Sequence, residues 1–83
     1  MKGERNVKNG NYTIEKIEIT SQEGKLLYGI ALGHNAVTNM WVTWAFKKET
    51  EEESTIDFFW GHYFERETDA LIDYCRRIID ELK

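Results

Sequence analysis

Residues 26–46 read LLYGIALGHNAVTNMWVTWAF, two alternating stretches around a polar break. In the first, Leu26, Tyr28, Ile30 and Leu32 share one parity, while Leu27, Gly29, Ala31 and Gly33 share the other. In the second, Met40, Val42, Trp44 and Phe46 alternate with Trp41, Thr43 and Ala45. Successive side chains of an extended chain point to opposite faces, so this period of two predicts two β-strands. Gly33-His34-Asn35-Ala36 supplies the turn formers that join them.

Working upstream, Tyr12 and Ile14 stand at even positions and Ile17 and Ile19 at odd ones. A β-bulge near Glu15 and Lys16 absorbs the change and keeps all four on one face. Ser21-Gln22-Glu23-Gly24 then closes a hairpin, with glycine where a positive φ is needed. Met1 to Asn11 has only Val7 to offer a core and reads as a flexible basic arm. Downstream, Lys47 to Ser54 is wholly polar and reads as an exposed loop. Thr55 to Phe64 forms a further strand with aromatics on both faces.

The period changes after that strand. Leu71, Cys75, Ile78 and Leu82 recur at helical spacing, and Ile72 and Ile79 widen the stripe. A helix from about Asp69 to Leu82 follows, with Thr68 as N-cap. Asp73 with Arg77, and Arg76 with Asp80, are placed on its solvated outer side as i,i+4 pairs. The expected architecture is one α+β domain spanning residues 1–83. A four-stranded antiparallel sheet over 12–64, in β-β-β-β-α order, packs on one C-terminal amphipathic helix at 69–82.

A chain of 83 residues has room for one core. Hydrophobic residues make up 41%, including three Trp, four Tyr and four Phe, which is the composition of a folded chain. The single cysteine, Cys75, cannot form an internal disulfide, and no stretch has the blocks of a signal peptide, so a reducing cytoplasm is the expected setting. No apolar run approaches the ~20 residues that cross a bilayer. Eleven Lys and Arg against fifteen Asp and Glu give a net charge of −4. That sign works against phosphate backbones and favours a basic partner.

No catalytic residue, metal ligand or cofactor site emerges from the motifs. The two histidines, His34 and His62, match no ligand spacing, and Cys75 falls inside the apolar stripe, where a thiol is buried and inert. Phosphate-cradling glycine motifs and nucleophile elbows are absent from the sequence. Partner-binding candidates are of two kinds. Trp41, Phe59 and Tyr63 share odd parity with small neighbours and are read as one aromatic platform, suited to a protein partner or to stacked bases. Glu49, Glu51, Glu52 and Glu53 form an acidic run fitted to a basic groove. A homodimer interface, or core packing of these aromatics, is the alternative use of the same surface.

With its β-β-β-β-α order, Glu-rich loop and Phe58-Phe59-Trp60 run, the chain resembles the small acidic accessory proteins of bacteriophages and mobile elements, anti-CRISPR proteins among them. The resemblance covers size and character, carries no motif and assigns no residue. It implies a non-enzymatic inhibitor that occupies the nucleic-acid-binding surface of a host defence nuclease, or blocks its movement, in a one-to-one or dimer-based complex.

Overall fold

The computed structural model describes residues 8–50 and 55–83. Residues 1–7 of the expected arm, and Glu51, Glu52 and Glu53 of the expected acidic loop, lie outside the described residues. The strands are β1 (Lys8–Asn9), β2 (Tyr12–Glu23), β3 (Leu26–Asn35), β4 (Met40–Glu49) and β5 (Asp57–Phe64), followed by helix α1 (Glu67–Leu82). They form one antiparallel meander in sequence order, with α1 against it, so the sheet has five strands rather than four. The additional strand comes from the segment read as an arm. Gly10, at φ 63, lets Lys8–Asn9 fold back on Tyr12–Thr13 through a two-residue loop. Gly24, at φ 59, does the same between β2 and β3, so β2 runs on to Glu23 instead of stopping before Ser21.

The turn between β3 and β4 decides which side chains share a face. It spans Ala36–Asn39, three residues later than the expected Gly33–Ala36. The buried Asn35 builds it: its side-chain oxygen accepts from the amides of Val37 (2.9 Å) and Thr38 (3.2 Å), and the amide of Asn39 donates to its carbonyl (2.6 Å). Such local bonding is why Asn opens turns. A loop with an even number of residues pairs even positions of β3 with odd positions of β4. Thus Ile30 opposes Ala45 and Leu32 opposes Thr43. The bulky parities of the two strands therefore lie on opposite faces of the sheet.

On one face, Ile30 and Leu32 pack with Ala70 and Tyr74 of α1, and Trp41, Phe64, Leu71 and Ile78 close around them. Complete burial of each large apolar side chain contributes about 1.5–3 kcal/mol. The opposite face carries Val42, Trp44 and Phe46, all buried although α1 is on the other side. Glycines make this possible. The Phe46 ring lies over Gly29, where an added Cβ would meet its atoms at 2.7 Å, and the Trp44 indole reaches from Gly33 to Gly61. Tyr12 and Phe58 flank that indole, with ring centroids 5.6 and 5.0 Å away, giving a self-packed aromatic layer.

Bulges set the remaining faces. The register of β2 shifts between Ile14 and Lys16, at the expected position, and again between Ile19 and Ser21. Ile14, Ile17 and Ile19 consequently all oppose odd positions of β3 and share the aromatic face. A third shift lies between Thr43 and Ala45 of β4, opposite Trp60 and Gly61 of β5.

Helix α1 begins at Glu67, so Thr68 lies in its first turn and Arg66 is the N-cap, without a side-chain cap. Its buried side is Ala70 and Tyr74, whereas Ile72, Ile79, Leu82 and Cys75 are exposed. The helix is thus rotated from the orientation that its apolar stripe implies. Asp73 and Arg77, expected outside, both bond to Thr43 of the sheet.

The contacts around the glycines order two substitutions. Gly33→Ala forces its new Cβ against the Trp44 ring at 2.9 Å and lowers stability by about 1–3 kcal/mol, the usual overpacking cost. Gly29→Ala meets the backbone carbonyl of Glu18 as well as Phe46, so its unfolding midpoint in urea falls further than that of Gly33→Ala.

Candidate functional site

The expected platform of Trp41, Phe59 and Tyr63 does not assemble. Trp41 opposes His34 and Phe64 on the helix face, where it packs against the core and stacks on the His34 ring at a centroid distance of 4.0 Å. Phe59 opposes Ala45 on that same face, but Tyr63 opposes Val42 on the aromatic face. The physical reason is the β5 bulge. One extra residue between Phe59 and Tyr63 breaks the shared parity, because a single-residue slip moves every later side chain across the sheet. Glu49 is exposed at the end of β4 and pairs with Leu26, beside Thr55 and Asp57.

The polar centre of the fold was not visible as a motif. Thr43, 0% exposed, donates its hydroxyl to Asp73 Oδ2 at 2.6 Å. Arg77 Nη1 donates to the same hydroxyl oxygen at 3.0 Å and to the Thr43 carbonyl at 3.2 Å. His62 Nδ1 lies 2.9 Å from Asp73 Oδ2. These four side chains come from β4, β5 and α1, and the only local signal was the i,i+4 spacing of Asp73 and Arg77. Burial works to raise the Asp73 pKa, but its bonds from Thr43 and His62 and the nearby Arg77 charge outweigh this and hold it below the ordinary carboxylate range. Burial lowers that of Arg77, against the opposing pull of Asp73 and Glu81.

A His–Asp pair invites comparison with acid–base sites. When Nδ1 donates to Asp73, the neutral ring keeps a free lone pair on Nε2, and the side chain is 52% exposed. A general base must reach the proton it removes. The hydroxyl of Thr43 is buried and already shared by Asp73 and Arg77. Cys75, two residues beyond Asp73, turns to the outside of α1. What the geometry provides is a strut between helix and sheet. His34 is engaged elsewhere, with Nε2 at 2.8 Å from Asn39 Oδ1. Among the described residues no group of three or more His, Cys, Asp and Glu is placed to hold a metal ion.

The second candidate is the aromatic face itself. Its centre is buried by self-packing, but its margins are not: Ile17 is 39%, Ile19 44% and Tyr63 57% exposed. Among the described residues, α1 is the only element outside the sheet, and no helix is long and apolar enough to cross a membrane. Compared with known protein families, curated proteins and solved structures, the chain shows no match.

The strut is testable by stability. Thr43→Val keeps the shape but leaves Asp73 and Arg77 without their shared partner, and calorimetric unfolding should show a loss of about 1–3 kcal/mol. Because the folded pKa of Asp73 is depressed, its contribution is complete above the unfolded value of ~3.9 and is lost as pH falls through the folded value. The stability gap between wild type and Asp73→Asn, followed by urea unfolding from pH 7 downwards, is therefore widest at neutral pH and closes in acid.

Proposed function

We propose that the protein is a non-enzymatic binding module that acts stoichiometrically on a protein partner through the sheet face opposite α1. One observation carries the proposal: among the described residues, a sheet with apolar residues on both faces has one helix against it, on the other side from Ile17, Ile19 and Tyr63, which are open to water. A partner surface removes such a patch from water, and tyrosine is a frequent anchor in these contacts. The net charge of −4, with Glu49, Glu51, Glu52 and Glu53 in one run, favours a partner of opposite sign. A basic, nucleic-acid-handling protein has that charge. In this account the module inhibits or regulates its partner in the cytoplasm, with a CRISPR nuclease as the example that the resemblance supplies. Direct binding of nucleic acid is disfavoured by the same charge.

The test begins with capture of partners from a host lysate and continues by calorimetry with the purified partner. Tyr63→Glu and Ile19→Glu each weaken binding about tenfold or more, equivalent to ~1.4 kcal/mol, while the fold is retained. Charge reversal at Glu51, Glu52 and Glu53 weakens it further at low salt than at high salt. Unchanged affinity in the sheet-face variants overturns the proposal. So does sedimentation showing that a second copy already occupies the face at micromolar concentration.

A further inference from the structure

Trp60 stands at φ 55, in the left-handed region, with 73% of its surface exposed. A bulky residue is held in that region only where its surroundings impose it. Its effect is specific. Consecutive side chains of a regular strand face opposite sides, yet Phe59 and Trp60 line one cavity of about 180 Å³ between the sheet and the end of α1. Their rings meet at 81° with centroids 5.0 Å apart, so the cavity has two aromatic surfaces nearly at right angles. Tyr28 and Phe46 bring the aromatic lining residues to four, and the paired Ile30 and Ala45 add apolar surface.

Two further features give the cavity a sign. Glu81 of α1 lines it with an acidic side chain. Arg77, one turn earlier, feels the Glu81 charge but is itself bonded to Thr43, the last turn of the helix holds no basic residue, and Lys83 at the C-cap stands 3.9 Å from Asp80. The C-terminal end of a helix carries partial negative charge and favours a cation. Aromatic faces attract cations as well, through the negative potential above the ring. The volume is comparable with the ~150 Å³ cavities that accept a benzene-sized group.

We infer that this cavity receives the cationic side chain of a partner protein, a lysine or an arginine. The aliphatic stem packs on Ile30 and Ala45, and the charged head faces Phe59, Trp60 and Glu81. That the cation belongs to a protein rests on the binding-module proposal; the preference for a cation rests on the cavity alone.

The test uses the whole protein, nitrogen-15 labelled, and follows amide and indole signals as small probes are added. The probes are Nα-acetyl-lysine methylamide, Nα-acetyl-arginine methylamide and the uncharged norleucine analogue. Saturable shifts at the Trp60 indole and at Ile30 and Ala45 are expected with the basic probes and not with norleucine. Glu81→Gln weakens the response at least about threefold, ~0.65 kcal/mol by the tenfold-per-1.4 relation. Trp60→Gly, which suits the left-handed backbone and so preserves the bulge, abolishes it. No saturable shift, an equal response to norleucine, or an unchanged response in Trp60→Gly overturns the inference. Because no partner is present, these results are independent of the Tyr63 and Ile19 variants: a cation response with unaffected partner binding would retain the cavity and remove the sheet-face proposal.

Discussion

The hydroxyl of Thr43 is the point at which the sheet and the helix are fastened together. It is fully buried, it donates to Asp73, and it accepts from Arg77. A buried polar group without partners is costly, so the sheet position demands a polar helix face opposite it. That demand sets the rotation of α1. Asp73 and Arg77 turn inward with Ala70 and Tyr74, and the apolar Ile72, Ile79 and Leu82 are left outside. Asp73, Arg77 and Glu81 follow one another at intervals of four, along one side of the helix. Fixing the first two brings Glu81 to the cavity beside Trp60. Position in the fold and the charge of the cavity thus share a cause.

A second constraint acts within the sheet. One helix cannot cover two apolar faces, and the sequence meets this by placing glycine where a large ring must lie flat. Gly29 accommodates Phe46, and Gly33 with Gly61 accommodates Trp44. The inner part of the second face is dried by its own aromatics, while Ile17, Ile19 and Tyr63 at its margins still meet water. The β5 bulge links the two faces, since it carries Gly61 under Trp44 and, one residue earlier, sends Trp60 toward the cavity on the helix side.

Much of this fold was legible in the residues. The alternation in 26–46, the helical spacing after Thr68 and the parity change around Glu15 each have a local cause and appear where that cause puts them. What escaped was relative placement. Asn35 moved the turn between β3 and β4 three positions along, but a four-residue turn at either place sets even positions of β3 against odd positions of β4, and each strand's own alternation does not display that pairing. The platform of Trp41, Phe59 and Tyr63 failed for a similar reason, because a bulge at a tryptophan gives no warning in composition. Asp73 and Arg77 have the spacing of a solvated ion pair, and only Thr43, some thirty residues away (|i−j| = 30 to Asp73), turns them inward. The short β1 was hidden because two residues cannot show a period.

The account holds that partner binding covers the sheet face opposite α1. Hydrogen exchange on the purified complex, compared residue by residue with the free protein, addresses this most directly. Slower exchange is predicted in the exposed margins formed by β2 and β5, with α1 outside the cavity end unchanged. Protection confined to α1, with β2 and β5 exchanging as they do in the free protein, would contradict it.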